Sequence, residues 1–155
     1  MANLIIPNVR VIAIDLYGNV KDIVETHNVV TNAALDLFSE ALRGADVSNL
    51  EINWMAVGTG SATGGDAPSA TDTQLNNEVF RKNITFQAGG TNRMTTITVL
   101  APAEANVNIT ELGWFGADAT STTDSGTLIA RVAYSRAKNS GESLQVNRQD
   151  TFAEA

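Results

Sequence analysis

Apolar and polar residues alternate in short runs over most of this chain, and small polar residues separate the runs. In "VRVIAIDLYGNVKDIVETHNVV" (9–30), Arg10, Ile12, Ile14 and Leu16 alternate with Val9, Val11, Ala13 and Asp15. That is the period of an extended strand. Both sets contain apolar residues, so both faces of this strand are expected to be partly covered. "YGN" supplies the turn, with Gly18 and Asn19 suited to positive φ. The return strand carries Val20, Ile23, Val24, Val29 and Val30. Further strands are predicted in "LEINWMAV" (50–57), "LNNEVFRKNITF" (75–86), "NRMTTITVL" (92–100), "NVNITELGWFG" (106–116), "GTLIARVAYSR" (126–136) and "ESLQVNRQDTF" (142–152). The segments between them are rich in Gly, Asn, Asp and Ser, or carry Pro.

One segment has a different period. In "TNAALDLFSEALRG", Leu35, Phe38, Ala41 and Leu42 recur at three and four residues and predict a helix over about 32–43. Thr31 or Asn32 can cap its start, and Gly44 follows where a left-handed residue ends a helix. Seven or eight consecutive strands with one helix predict a mainly β fold, an antiparallel β-sandwich or flattened barrel. The 155 residues fit one domain, with an N-terminal arm at 1–8 and a short C-terminal tail at 151–155.

Composition narrows the chemistry. Cysteine is absent and His27 is the single histidine. Thiolate sites are excluded, and a zinc centre lacks its usual ligands. The net charge of −7, with only ten Lys and Arg, argues against nucleic acid as a partner. No apolar run is long enough for a membrane helix, and "MANLIIPNVR" does not read as a secretory signal.

The stretch "MAVGTGSATGGDAPSATDT" (55–73) raises the question of a phosphate-binding loop. Counting from Gly60, Asp66 stands where a P-loop needs its lysine. In a dinucleotide fingerprint, Gly58 and Gly60 fit but Thr63 replaces the third glycine, and no helix follows at once. The stretch therefore reads as a connection. No calcium loop, nucleophile elbow or carboxylate pair emerges elsewhere, so no cofactor and no catalytic activity are expected. Glu111 is the carboxylate of interest: a regular strand places it on one face with Val107, Ile109, Gly113 and Phe115. A carboxylate there is costly unless paired. Arg81 and Arg131 also lie in apolar stretches, so Glu111 is expected either to pair with one of them or to turn to solvent at a β-bulge.

Four pieces carry a resemblance as an ordered set: "NVVTNAALDLFSEALRG", "NWMAVGTGSATGGDAPSATDTQLNNEVFRKNIT", "NITELGWFG" and "SGTLIARVAY". The order resembles a class of bacteriophage virion proteins in which a "vGtG … P … dt.L..E..R..I" segment leads into an "i.E.Gl[FY]" strand and a "G.L.aR" strand. It includes N-terminal modules of tail fibres and small stand-alone tail and capsid-decoration proteins. Over residues 28–135, Gly58, Gly60, Leu75, Glu78, Arg81, Glu111, Gly113 and Arg131 match the pattern. Trp114 departs from the small or aliphatic residue before the aromatic. The resemblance implies a non-enzymatic structural protein of the virion, assembled in the host cytoplasm.

A capsid decoration (cement) protein is the first expectation, since a fibre subunit would continue into a shaft. A tail, baseplate or tail-fibre-attachment component is the alternative. A carbohydrate-binding sandwich module is the rival from another class, though two Trp and two Tyr mark no sugar platform. The expected partners are further copies of the chain, with a trimer favoured, and the major capsid protein or other virion proteins. Leu4, Ile5 and Ile6 are expected to contact such a partner as an arm, separated by Pro7 from a strand starting at Val9.

Overall fold

The computed structural model describes residues 5–60 and 67–153. Ten strands form two antiparallel sheets packed as a sandwich: β1 (Ile5–Asp15), β2 (Val20–Thr26), β3 (Val29–Val30), β4 (Ile52–Gly58), β5 (Glu78–Asn83), β6 (Phe86–Gly90), β7 (Arg93–Leu100), β8 (Asn108–Gly116), β9 (Leu128–Ala137) and β10 (Glu142–Phe152). One sheet, called A below, has the order β2-β1-β10-β7-β6, and the other, B, has the order β3-β9-β8-β4-β5. Each is an open five-stranded sheet, so the sandwich form holds and the barrel form does not. The core between them contains Val9, Val11, Met55, Val57, Leu112, Trp114, Val132, Leu144 and Val146. β10 alternates strictly between buried and half-buried residues from Glu142 to Asp150, as a sheet with one covered face requires.

The hairpin at the start is shorter than its apolar pattern suggests. Asp15 accepts hydrogen bonds from the Tyr17 and Asn19 amides, and Gly18 turns the chain at φ +88°. β2 ends at Thr26, and Val29 and Val30 then pair with β9 in the opposite sheet. The 75–86 segment divides in the same way, with β5 in sheet B and β6 in sheet A. Both changes of sheet occur inside segments that carry no glycine or proline, so the sequence does not mark them.

β1 also departs from expectation. It runs unbroken from Ile5, pairing Ile5 with Phe152, Ile6 with Thr151 and Pro7 with Asp150. Residues 5–8 and 151–152 therefore belong to the sheet, not to an arm and a tail, and the strand does not start at Val9. Pro7 is tolerated because β2 pairs with β1 only from Val9 onward. The Pro7 carbonyl points to that unpaired side, where His27 Nδ1 lies 2.9 Å away. A residue's N and O point the same way in a strand, so the missing N–H faces no partner strand. Leu4 and residues 61–66 lie outside the described residues.

The helix α1 (Asn32–Leu42) is the only α-helix among the described residues. Thr31 caps it, accepting from the Ala34 amide at 3.2 Å and donating its hydroxyl to the Leu128 carbonyl at 2.6 Å. Gly44, at φ +83°, follows its end. The anticipated stripe is rotated. Ala34 is buried and Leu37 packs on the core, whereas Leu35 and Leu42 are exposed, Leu42 at 87%. Anchoring of the first turn through Thr31 sets that rotation, and Ala34 lets the helix approach the sheets closely. Phe38 meets Phe152 with ring centres 5.9 Å apart.

Candidate functional site

The outer side of sheet B carries the residues singled out by sequence. Alternation along β8 would put Ile109, Glu111 and Gly113 on one face. A register shift between Ile109 and Glu111 breaks it. Ile109 enters the inter-sheet core, and Glu111 comes out opposite Gly58 on the far side. The bulge does not deliver Glu111 to solvent, since it is only 2% exposed. Loop residues 67–77 lie over it.

Glu111 is held by charge and by backbone. Arg131, from β9, approaches its Oε2 through Nε at 2.9 Å and Nη2 at 2.8 Å. The amides of Gly60, Asn76 and Asn77 donate to its two oxygens at 3.3, 3.1 and 3.0 Å. Arg131 also reaches Asp72 through Nη1 at 2.7 Å. One buried Glu–Arg pair thus ties both ends of the glycine-rich connection to the sheet. Gly58 and Gly60 permit this approach. A Cβ on Gly58 would overlap the Glu111 carboxylate, and one on Gly60 would lie 2.7 Å from its Oε1. A Cβ on Gly113 would come within 2.8 Å of the Leu75 side chain, so this glycine seats Leu75 in a small second core with Ala56, Phe115, Ala119 and Leu128.

Arg81 pairs with Glu78 and not with Glu111. In a regular strand residues three apart face opposite ways. The β4–β5 register shifts between Val57 and Gly58, which lets Val79 bulge outward and returns Glu78 to the side of Arg81. The guanidinium stacks 4.6 Å over the Phe115 ring. Its Nη1 donates to the Thr120 and Ser125 carbonyls at 2.9 and 3.1 Å, and Glu78 accepts from the Asp124 amide at 3.2 Å. The acidic, hydroxyl-rich loop at 117–127 is fixed in this way.

Other buried charges escaped the sequence reading. Arg148 and Asp150 pair on the inner face of β10, with the Arg148 guanidinium 5.3 Å over the Trp114 ring. Their spacing of two within an alternating strand was the available signal. Trp114 fills the inter-sheet core beneath that arginine. Arg136 of β9 binds both oxygens of Glu142 at 2.8 and 2.7 Å, and Lys21 adds a contact at 2.8 Å. Arg136, seconded by Lys21, holds the Glu142 carboxyl down to about 2 despite its burial. Lys138 donates to the Ala101 and Pro102 carbonyls, and burial pushes its pKa down. Glu104 pairs with Lys82. Glu78, Glu104 and Glu111 thus have separate partners.

Chemically, this arrangement clamps. The donors around Glu111 occupy both of its oxygens, and Glu78 is similarly engaged, so neither is set to transfer a proton to a substrate. Among the described residues, no three His, Cys, Asp or Glu side chains group to hold a metal ion. No protein-family model, curated protein or solved structure matches the chain.

Proposed function

We propose that this chain is a non-enzymatic structural protein of a bacteriophage virion, acting as a capsid decoration protein that bridges neighbouring capsid subunits. One observation carries the reading. The eight positions matching the virion-protein pattern are scattered from Gly58 to Arg131 in sequence, yet they meet as one constellation. Glu111 touches Arg131, Gly58 and Gly60, Gly113 seats Leu75, and Glu78 and Arg81 pair beside Phe115. The pattern therefore has a physical content, the described residues of two loops fastened to a sheet. Fastened loop residues suit a protein that binds other virion proteins without chemistry, since pre-ordered groups lose less entropy on contact. Immunogold labelling of virions from the host that carries this gene tests the proposal. Label over the capsid shell is expected. Label confined to the tail would move the protein to the tail or baseplate, and virions free of label would overturn the reading.

A further inference from the structure

We infer that the outer face of sheet A is where a second copy of this chain docks, face to face. No segment of the described chain covers this face, and none of its outward residues is buried. It is nevertheless rich in apolar side chains. Ile12 and Ile14 of β1 point outward beside Ile23 of β2, and Ile97 of β7 points outward beside Phe86 of β6, which is 55% exposed. Between these two apolar zones runs a polar stripe on β10, with Gln145, Asn147 and Gln149. An apolar face of this extent, left to water, marks an interaction surface.

Charge argues for a second copy as the occupant. The chain carries −7, so two copies repel over most approaches. The outward charged side chains on this face are Arg10, Arg93 and Glu25, a net of one positive, so the negative excess lies elsewhere. Two copies can therefore meet here without bringing that excess together. Arg10 and Glu25 lie side by side, with 3.6 Å between charged atoms. A two-fold axis can set each against the other's counterpart. A strongly charged partner would gain little from so neutral a face.

The area suffices. Five strands spaced about 4.8 Å apart, with roughly seven residues each at about 3.3 Å, give a face of some 500 Å². Two such faces bury on the order of 1,000 Å², and more once side chains interdigitate, which reaches the lower range of specific interfaces. The Asn and Gln side chains of the stripe supply hydrogen-bond donors and acceptors at its centre. A face meeting its own copy is a two-fold contact. It yields a dimer, in contrast to the trimer expected from the sequence.

Light scattering coupled to size exclusion, over a range of concentrations, measures the assembly. The wild type is expected at twice the monomer mass. Ile12→Glu with Ile97→Glu should bring it to the monomer mass, since like charges then face each other across the axis. Leu35→Ser with Leu42→Ser, on the exposed side of α1, should leave the dimer intact. Should the glutamate pair fail to fold by circular dichroism, Ile12→Thr with Ile97→Thr keeps strand propensity and should raise the dissociation constant at least tenfold. A wild-type monomer, a trimer, or a dimer that yields to the α1 changes and not to those on sheet A would overturn the inference. The inference is independent of the virion proposal, which labelling tests separately.

Discussion

The two outer faces of the sandwich solve the same problem in opposite ways. Sheet B buries the part of its outer side around Glu111 and Phe115 under its own loops. Glu111 and Arg131 fasten one loop, and Glu78 and Arg81 fasten the other, over a small apolar core around Leu75 and Phe115. On sheet A no described segment of the chain lies over the outer face, where Ile6 and Ile23 are exposed and Ile12, Ile14 and Ile97 half-buried. The contrast shows that apolar outward residues do not determine cover. Sheet B is covered because arginines and carboxylates on its outer side capture backbone groups of long connections. Among the described residues, the ion pair on the outer side of sheet A is Arg10–Glu25, which binds no loop.

The sharpest way to break this contrast is to remove a clamp. Arg131→Met leaves Glu111 buried with Asp72 nearby and no cation between them. Loss of about 3–5 kcal/mol is expected, read from the urea midpoint. An unchanged midpoint would mean that the loop covers sheet B without the clamp.

Acid tests the joint that the two sheets share. Glu142 of sheet A is held by Arg136 of sheet B, and its folded pKa of about 2 lies below the ordinary 4.5. Its contribution is present above about pH 4.5 and is lost as pH falls toward 2. A shift of this size corresponds to about 3 kcal/mol. Stability measured across that window should fall steeply in the wild type and less steeply in Glu142→Gln. Parallel curves would show that the pair contributes nothing to acid sensitivity.

A smaller effect sharpens the role of the glycines. Gly60→Ala places a methyl against Glu111 and should cost about 1–3 kcal/mol, with faster amide exchange at Asn76 and Asn77. Tolerance without change would mean that the connection has room to shift. The smallest effect belongs to sheet A. Ile23→Thr, on the uncovered face, should alter the stability of the isolated subunit by no more than about 0.5 kcal/mol. In the monomeric Ile12→Glu, Ile97→Glu background, a melting loss comparable to that of a core residue would show that the subunit's own chain covers this face.

Much of the fold could be read in the chain. The strands around residues 93–100, 108–116 and 142–152 follow from alternation, that at 52–58 from its apolar run, and α1 from its own period and its threonine cap. That Glu111 and Arg131 needed a partner or solvent was legible as charge inside apolar runs, but the choice between an ion pair and a bulge to solvent was not. The roles of Asp72 and Glu78 were not, because each depends on a loop returning from elsewhere. The facing of α1 was also hidden. Both Leu35–Phe38–Leu42 and Ala34–Leu37–Phe38 satisfy a helical stripe, and only the anchoring of Thr31 to β9 chooses between them.

The sequence by itself determined where strands and turns form, because alternation and glycine are local properties. It also determined that the charges inside apolar runs would have to be paired or turned to solvent. Tertiary structure alone decided which sheet each strand joined, since β2–β3 and β5–β6 switch sheets within segments that carry no turn glycine or proline. It decided too that Glu111 meets Arg131 while Arg81 meets Glu78. The reason is the β-bulge. One extra residue reverses every side chain beyond it, and where it falls is set by the register with the neighbouring strand.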